Sequence, residues 1–302
     1  MQTLLVTGAS GFVGRTLLGM TGRGGIGPFA RIIPLTDAVD LRKPEALRDA
    51  LAGQAPDAVI HLAAISFVPD SIARPRETYD VNLHGTINLL EALAERGFRG
   101  AFLYVGSGDV YGAVPVEGLP ISESRLPRPR NPYSASKLAA EAYCTQLGQR
   151  SPIRMLIARP FNHIGPGQSE RFAVAGFAKQ IAEIKQGRRA PAIEVGNVDV
   201  TRDFSDVRDV VRAYLKLLES GVAGEAYNVC SGIERNVGDV LRQMLALAGV
   251  SATVTSVADK LRPNEQTRHF GSNRKLCEDT GWAPSVPFEQ SLCDLLDSWT
   301  LR

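Results

Sequence analysis

The chain has 302 residues, of which 44% are hydrophobic and 22% are charged, and its formal net charge at pH 7 is +2. These values are ordinary for a soluble globular protein of one large domain or two unequal ones. So small a net charge argues against an extended nucleic-acid surface. No apolar run approaches the ~18 residues of a membrane-spanning helix, so we expect neither a nucleic-acid partner nor a membrane.

Apolar stretches that predict strands alternate with helix-like stretches through about residue 160. The predicted strands are residues 4–6, 32–35, 58–62, 101–105 and 154–158, and the predicted helices between them include 82–95 and 134–147. Later segments predict a helix at 204–218, a strand at 225–229, and helices at 237–247 and 288–299. Such alternation is typical of βαβ units. The sequence therefore predicts an α/β protein with a Rossmann-type doubly wound parallel sheet and a smaller C-terminal substrate-binding region.

The pattern becomes looser after Asn162, where glycines and prolines mark loops. We therefore predict a dinucleotide-binding domain of residues 1–162, with return elements near 204–229. Residues 163–302 are predicted to form mainly a substrate-binding domain.

Three glycines directly follow the first predicted strand. Gly8 permits a tight turn, Gly11 lets the backbone approach a pyrophosphate, and Gly14 lets the next helix pack closely on the strand. The free amides at the start of that helix would point at the phosphates. A glycine triplet in this position predicts dinucleotide binding, and the alternative is a glycine-rich turn without a ligand.

A tyrosine and a lysine, Tyr133 and Lys137, stand four residues apart and share one face of a predicted helix. An ammonium close to a phenol favours the phenolate, so we expect the pKa of Tyr133 to fall from ~10 toward neutrality. Such a phenol can exchange a proton with a carbonyl or hydroxyl oxygen while hydride moves at the carbon. Ser107 ends a predicted strand, where it can hydrogen-bond a substrate oxygen beside Tyr133. The alternatives are a chance Tyr–Lys pair and a serine that merely ends a strand.

The cysteines and histidines point to neither disulfides nor a metal. The four cysteines have no paired spacing and the four histidines are far apart. Because the first predicted strand begins at residue 4, we expect no signal peptide. Reduced thiols then suit a cytoplasmic protein.

Short sequence blocks over most of the chain are similar to those of one enzyme family. The blocks are Thr7-Gly8-x-x-Gly11-x-x-Gly14, Asp40-Leu41, His61-Leu-Ala-Ala64 with Ser66 and Val68, Val81-Asn82-x-x-Gly85-Thr86, Ser107 to Gly112, Tyr133-x-x-x-Lys137, Arg159-Pro-Phe-Asn162, Arg202-Asp-Phe204, Tyr227-Asn-Val229, Arg262-Pro-x-Glu265 and Thr280-Gly-Trp282. On these blocks the chain resembles the extended short-chain dehydrogenases/reductases, in the nucleotide-sugar epimerase/dehydratase group. Within that group, residues 107–112 and 159–168 are most similar to 4-ketoreductases of GDP-sugars.

The resemblance implies NADP(H) as the cofactor, with NAD(H) as a second acceptable one. The implied cofactor contacts are Gly8, Gly11, Phe12, Val13, Gly14, Asp40, Leu41, Leu62, Ala63, Ala64, Asn82, Tyr133, Lys137 and Arg159. Asp40 would accept a hydrogen bond from the adenine amino group, and Lys137 would reach the nicotinamide ribose. NADP(H) is favoured because the second predicted strand ends without the acid that binds the ribose 2′-hydroxyl in NAD-specific relatives; Asp37 comes slightly late.

For the substrate, the resemblance implies contacts by Ser66, Ser107, Asn162, His163, Lys179, Arg202, Arg262 and Glu265. The two arginines suit a diphosphate because a guanidinium group makes bidentate contacts. The predicted catalytic residues are Ser107, Tyr133, Lys137 and Asp109. We expect reduction of the C4 ketone of GDP-4-keto-6-deoxy-D-mannose to GDP-D-rhamnose. The family's usual homodimer would form through the predicted helices 82–95 and 134–147.

Other functions of the same family stay open at this point. Sugar 4,6-dehydratases carry a glutamate in the segment after the strand, whereas this chain has Gly108 and the shorter Asp109, which favours a simple ketoreductase. A 4-epimerase with tightly bound NAD, or a reductase that forms GDP-6-deoxy-D-talose, would use the same Ser, Tyr and Lys. A non-enzymatic dinucleotide sensor would usually lack the Tyr or the Lys.

Overall fold

A computed structural model of the protein describes residues 2–21, 27–261 and 266–300. The described strands, in chain order, are β1 (Gln2–Thr7), β2 (Phe29–Leu35), β3 (Ala58–His61), β4 (Ala101–Val105), β5 (Arg154–Pro160), β6 (Asn162–Ile164), β7 (Ala192–Val195), β8 (Thr201–Asp206), β9 (Ala226–Val229), β10 (Glu234–Asn236), β11 (Thr253–Ser256) and β12 (Arg268–His269). The described α-helices are α1 (Phe12–Thr21), α2 (Pro44–Ala50), α3 (Val68–Ala73), α4 (Pro75–Tyr79), α5 (Gly85–Glu95), α6 (Pro132–Gly148), α7 (Ala173–Lys185), α8 (Val207–Ser220), α9 (Val237–Ala248), α10 (Arg274–Thr280) and α11 (Phe288–Thr300).

The main sheet has six strands in the order β2-β1-β3-β4-β5-β9. All neighbouring pairs in it are parallel. The chain runs from β1 to β2 on one side and then crosses to β3 on the other, so the strand order reverses between β1 and β3. Ligands bind at such a reversal in doubly wound sheets. The predicted α/β class and doubly wound parallel sheet are confirmed.

Both faces of this sheet are buried, because successive side chains of a strand point to opposite sides. Leu4 and Val6 of β1 lie in one core with α1, α8 and α10. Leu5 lies in the opposite core with α2, α5 and α6, as do Phe102 and Tyr104 of β4. Each fully buried leucine of this kind contributes roughly 1.5–3 kcal/mol. The near-continuous apolar runs in the sequence therefore correspond to strands covered by helices on both sides.

A third core forms the smaller region, from α7, α9, α11, β7 and β8. Its sheet is built on β8, which pairs with β10, β12 and β6. Within residues 207–229, however, α8 packs on the main sheet and β9 joins its edge. The chain thus enters the smaller region after β5 and returns to the main sheet through α8.

The structure corrects one predicted helix and adds short strands. The helix predicted at 204–218 begins only at Val207, and residues 201–206 form β8 instead. Asp206 caps this helix, since its carboxylate accepts a hydrogen bond of 2.7 Å from the backbone N–H of Arg208. The sequence pattern does not predict five of the short strands, β6, β7, β10, β11 and β12. Each has two to four residues, too few for an alternation of apolar and polar residues to be recognised.

Two further observations concern the described residues as a group. None of their helices is both long and apolar enough to cross a bilayer. Their four cysteines are free thiols, and no cluster of three His, Cys, Asp or Glu side chains among them could hold a metal ion.

Candidate active site

A large cavity lies along the carboxyl ends of the main-sheet strands. Its volume is about 1500 Å³, whereas pockets for a single small molecule are usually ~300–1,000 Å³. There is therefore room for a dinucleotide and a second nucleotide. The predicted site residues that line it are Gly8, Gly11, Phe12, Val13, Gly14, Asp40, Leu41, Leu62, Ala63, Ala64, Ser66, Ser107, Asp109, Tyr133, Lys137, Asn162, His163 and Arg202.

The glycine turn after β1 forms one end of this cavity. Gly8 has φ +66°, and a Cβ atom there would lie 2.8 Å from the backbone nitrogen of Ala63. A Cβ atom on Gly14 would lie 2.5 Å from the carbonyl oxygen of Gly8, so the helix could not pack as it does. Gly11 is exposed, and a side chain there would meet little besides Gly8 before it entered the cavity. The turn and the start of α1 therefore fit the pyrophosphate of a dinucleotide.

A buried histidine supports this turn from below. The ring of His61 lies with Nδ1 2.6 Å from Oγ1 of Thr7 and Nε2 2.9 Å from Oγ1 of Thr86. Burial, and to a lesser extent the charge of Lys137, lowers the pKa of His61 to about 3. The ring is therefore neutral at pH 7. It links β1, β3 and α5, and the hydroxyl of Thr7 also accepts a hydrogen bond from the N–H of Ala63.

Local sequence places Tyr133 and Lys137 at the start of α6. Asn131 caps the helix, because its side-chain oxygen accepts a hydrogen bond of 2.8 Å from the backbone N–H of Ser134. The Ser134 hydroxyl oxygen in turn accepts a hydrogen bond from the backbone N–H of Asn131. Pro132 occupies the first turn, where its missing N–H costs nothing. This capping box fixes where the helix begins. It therefore sets the direction in which the first turns, with Tyr133 and Lys137, project.

The protonation of Tyr133 differs from the expectation. Burial raises the pKa of the Tyr133 phenol, the Ser107 hydrogen bond lowers it, and Asp109 raises it further, so that the net direction is upward. The ammonium of Lys137 donates to the Val105 carbonyl at 2.6 Å, and burial lowers the pKa of Lys137 to about 8. The prediction that Lys137 lowers the pKa of Tyr133 is therefore wrong for this structure. The protonated phenol is the resting form.

Ser107 is held by the turn that follows β4. Its hydroxyl oxygen accepts a hydrogen bond of 3.1 Å from the backbone N–H of Asp109, and the same side chain hydrogen-bonds Tyr133. Gly108 lies against Phe161, whose ring would be 3.0 Å from a Cβ atom at position 108. Ser107, Asp109 and Tyr133 are thus brought together as predicted, and the absence of a side chain at Gly108 permits the packing.

The structure places Asn82 and Arg159 behind the cavity wall instead of in its lining. The Asn82 side chain accepts from the N–H of Ile65 at 2.8 Å and donates to the Ile65 carbonyl at 3.1 Å. The Arg159 guanidinium is buried, pairs with Glu141, and donates to the Tyr111 hydroxyl at 2.8 Å. In place of the predicted cofactor contacts, the Asn82 side chain binds the loop after β3 and the Arg159 side chain binds Glu141 of α6.

One predicted substrate residue that the structure describes, Lys179, does not line the cavity. Lys179 lies on the exposed side of α7, where it pairs with Glu170 at 3.4 Å and Glu183 at 3.9 Å. Its position on the helix directs the ammonium group to these two carboxylates, and Lys179 is not part of the cavity lining. Arg262 and Glu265 lie outside the described residues.

The cavity lining also holds residues that the sequence did not predict as site residues, among them Arg42 and His269. Arg42 makes a bidentate pair with Asp40, at 2.8 and 2.9 Å, and lies 3.7 Å from Glu77. The pair holds the pKa of Asp40 below its usual range. Arg42 directly follows the Asp40-Leu41 block, so that signal was available. His269 belongs to no recognised block and reaches the cavity only through the pairing of β12 with β8.

The family follows from these observations and from comparison with known sequences. A sequence model of the NAD dependent epimerase/dehydratase family matches residues 4–230. That match spans the main sheet, the glycine turn and the residues around Ser107, Tyr133 and Lys137. The chain belongs to the NAD dependent epimerase/dehydratase family.

Particular relatives narrow the comparison. The chain is 48% identical to GDP-6-deoxy-D-mannose reductase of Pseudomonas aeruginosa, over 100% of this chain and 98% of the relative. It is 31% identical to GDP-6-deoxy-D-talose 4-dehydrogenase of Aggregatibacter actinomycetemcomitans, over 81% and 80%. It superposes on the structure of RMD from Pseudomonas aeruginosa complexed with NADPH with a TM-score of 0.95 and 47% identity, over 100% of both chains. The predicted resemblance to a GDP-sugar 4-ketoreductase is confirmed by this similarity over the full chain.

Proposed function

We propose that this protein is a nucleotide-sugar 4-ketoreductase that converts GDP-4-keto-6-deoxy-D-mannose to GDP-D-rhamnose with NADPH. D-rhamnose is 6-deoxy-D-mannose, so this product matches the name of the 48% identical reductase. The observation that carries the proposal is that Tyr133 hydrogen-bonds Ser107 in the lining of a cavity large enough for both nucleotides.

The chemistry needs one hydride and one proton. When bound, NADPH supplies the hydride, which adds to C4 of the sugar. Tyr133 gives its phenolic proton to the oxygen that was the ketone, and the Ser107 hydroxyl donates a hydrogen bond to the same oxygen as its charge grows. Lys137 lies on the same helix and, with a pKa of about 8, carries positive charge at pH 7. That charge favours the phenolate of Tyr133 once the proton has left.

The cofactor would occupy the end of the cavity at the glycine turn. Gly8, Gly11 and the start of α1 would bind the pyrophosphate, with Phe12 and Val13 beside it. Asp40 and Leu41 would contact the adenine. We assign the 2′-phosphate to Arg42, because its guanidinium group lies in the loop after β2, where the ribose binds in this fold. Arg42 supports NADPH over NADH, since its guanidinium cation attracts the anionic 2′-phosphate, whereas a carboxylate in that place would repel it.

The GDP-sugar would occupy the other end. Arg202 on β8 would bind the diphosphate, while Ser66, Asn162 and His163 would contact the sugar or the phosphates. His163 stacks on Phe12, with ring centroids 5.8 Å apart, so β6 is packed against the start of α1. Burial lowers the pKa of His163, which makes it a neutral contact. Arg262 and Glu265 remain predicted contacts of the nucleotide.

The proposed reaction is tested by supplying GDP-4-keto-6-deoxy-D-mannose and NADPH and identifying the product by NMR. GDP-D-rhamnose is the expected product. GDP-6-deoxy-D-talose would mean the same reduction on the opposite face of the ketone. Isomerisation of an intact UDP-hexose without NADPH consumption, by enzyme that retains NAD after purification, would mean the 4-epimerase alternative instead.

We also propose a cytoplasmic homodimer. The free thiols suit a reducing compartment. On the proposed dimer helix α5, Leu90 and Leu93 belong to the monomer core, whereas Ile87 is only half-buried and available to a partner. Sedimentation should give a dimer for the wild type, and an Ile87→Glu variant should sediment as a monomer. An unchanged dimer in that variant would place the interface elsewhere.

A further inference from the structure

One ring nitrogen of His269, a residue of the cavity lining, is buried without a hydrogen-bond partner among the described residues. The side chain sits at the end of β12, where it pairs in register with Arg202 of β8. It lines the cavity and is only 5% exposed. Within the part of the chain that the structure describes, no hydrogen-bonding group reaches Nε2. Leaving a buried nitrogen unpaired is unfavourable, so a ligand that supplies the missing partner would bind more tightly.

The other ring nitrogen determines what kind of partner is missing. A hydrogen bond between the ring and the backbone of Gly108 raises the pKa of His269. A bond that the ring donates to a carbonyl oxygen has this effect, so the ring donates to the Gly108 carbonyl. Since Nε2 is unpartnered, the donor is Nδ1. Burial lowers the pKa of His269, Asp109 raises it and Arg202 lowers it, and the net direction is downward. The ring is then neutral with its proton on Nδ1, and Nε2 offers a lone pair that accepts a hydrogen bond.

The position of this acceptor is fixed by packing. The ring of His269 stacks on Phe161, with centroids 4.8 Å apart and planes 30° apart. Phe161 also packs on Gly108, the neighbour of Ser107. Because Ser107 hydrogen-bonds Tyr133, one continuous wall joins the acceptor to the group that would hold the reacting ketone. His269 therefore lies at the proposed sugar end of the cavity, next to the wall that carries Ser107.

We propose that Nε2 of His269 accepts a hydrogen bond from a ring hydroxyl of the hexose, and that His269 thereby determines specificity for a hydroxylated keto sugar. The inference rests on the proposed function. A 4-keto-6-deoxyhexose has hydroxyl groups at C2 and C3 and no N–H group, so a hydroxyl is the donor that it can offer. A site built to pair with a hydroxyl discriminates against the analogue that lacks it, because a buried acceptor is then left unpaired.

Three substitutions separate the parts that the imidazole plays. His269→Asn keeps a donor near the position of Nδ1 for the Gly108 carbonyl but has no acceptor at Nε2. His269→Gln extends an amide toward the position of Nε2. His269→Phe keeps the stacking on Phe161 and lacks both nitrogens. His84→Asn, at an exposed histidine that contacts Asp80, is the control.

The measurement is kcat/KM for NADPH-dependent reduction of three sugars, GDP-4-keto-6-deoxy-D-mannose and its 2-deoxy and 3-deoxy analogues. The wild type should prefer the natural sugar to one of the analogues by roughly 10–100-fold, the equivalent of a lost hydrogen bond. The Asn and Phe variants should lose about that much activity on the natural sugar and should no longer discriminate. The Gln variant should recover part of the preference. GDP affinity by calorimetry and the melting temperature should stay near wild type.

Two results would overturn the inference while the proposed function stands. One is an Asn variant with wild-type kcat/KM on the natural sugar. The other is an equal loss on all three sugars, since a merely structural defect lowers every rate without removing discrimination. If the wild-type enzyme reduces none of the sugars, the proposed function fails, and the inference that rests on it is overturned as well.

Discussion

The two ends of the cavity differ in whether backbone groups or side chains form them. The part of the proposed cofactor end that is assigned to the pyrophosphate is mainly backbone: Gly8, Gly11 and the first turn of α1 come from one continuous segment. The proposed sugar end consists of side chains from distant segments, with Ser107 after β4, Tyr133 on α6 and His269 on β12. Backbone amides bind any pyrophosphate, whereas side chains at fixed positions can select one sugar.

The difference also appears in what supports each end. The conformation of the glycine turn depends on the lack of side chains at Gly8 and Gly14 and on the hydrogen bond between the neutral His61 ring and Thr7. The sugar end depends on buried ionic and hydrogen-bonded pairs, such as Arg159 with Glu141, which stand behind the catalytic helix α6. Breaking such a pair leaves a buried charge unpaired and is expensive. The sugar end is therefore the more easily disturbed by remote substitutions.

The sharpest test of the comparison removes one atom from the sugar end. Tyr133→Phe keeps the ring but removes the proton, and turnover should fall by ~10²–10⁴-fold, the usual contribution of a general acid. NADPH affinity should be nearly unchanged, because the pyrophosphate end is untouched. Steady-state kinetics and calorimetry measure the two effects separately.

The matched control is Tyr143→Phe, which removes a phenolic hydroxyl from the same helix α6 outside the cavity lining. It should retain wild-type turnover. Tyr133→Phe turnover within a factor of a few of wild type would remove Tyr133 from the mechanism.

The next test fills the cofactor end. A Gly11→Val side chain would enter the space that the pyrophosphate needs, and NADPH affinity should fall by on the order of 100-fold, equivalent to ~3 kcal/mol. The melting temperature should fall only slightly, since an added Cβ atom at Gly11 would approach the Gly8 carbonyl oxygen to 3.1 Å, a milder contact than the 2.5 Å at Gly14. Calorimetry with NADPH and thermal unfolding provide the two measurements.

Two other glycines serve as controls for that substitution. Gly19 is on the same helix, with nothing within 4 Å of an added Cβ atom, so Gly19→Ala should alter neither quantity. Gly14→Ala should instead lower the melting temperature, because its Cβ atom would collide with the Gly8 carbonyl. Normal NADPH binding by Gly11→Val would contradict the assignment of the pyrophosphate to this turn.

A third test concerns the cost of burying Lys137. Its pKa is 10.5 when exposed and about 8 in the folded protein. Below pH 8 both states carry the proton, and the folded state bears the full cost of burying the charge, up to roughly 3 kcal/mol. That cost disappears as the pH rises from 8 toward 10.5, where both states become neutral. Lys137→Met should therefore increase the free energy of unfolding more at about pH 7 than at about pH 10, while turnover is lost.

Denaturant unfolding at the two pH values measures this difference. The Val105 carbonyl loses its donor at both, so that loss cancels in the comparison. Lys216→Met, at an exposed lysine that pairs with Glu219, should show no such pH dependence. Equal changes at both pH values would mean that the charge of Lys137 is not a burden on the fold.

The smallest expected effect belongs to Arg42. Arg42→Ser should weaken NADPH about tenfold, the equivalent of 1.4 kcal/mol, and leave NADH nearly unchanged, because only NADPH carries the 2′-phosphate. Arg48→Ser removes another exposed arginine, one paired with Glu95 away from the cavity, and should change neither. KM values for the two cofactors decide the matter, and a parallel loss for both would assign Arg42 to the adenosine in general.

Part of the cavity lining could be predicted because local rules produce it. The apolar strand, the glycines after it and the capping box of α6 each depend on neighbours in sequence, so Gly8, Gly11 and Tyr133 were placed correctly in the cavity lining. Asn82 and Arg159 also belong to sequence blocks of the family. Their side chains nevertheless hydrogen-bond Ile65 and Glu141 and do not line the cavity. A sequence block marks a position in the fold and does not show which way its side chain points.

The sequence by itself determined the doubly wound sheet and the family, since hydrophobic periodicity and turn residues act over short distances. Only the tertiary structure decided which distant side chains meet. The parallel pairing of β12 with β8 brings His269 to the cavity lining, and no local sequence pattern predicts a two-residue strand. Burial likewise raises the pKa of Tyr133 against the expectation from Lys137. Desolvation depends on everything packed around a group, and that packing exists only once the chain has folded.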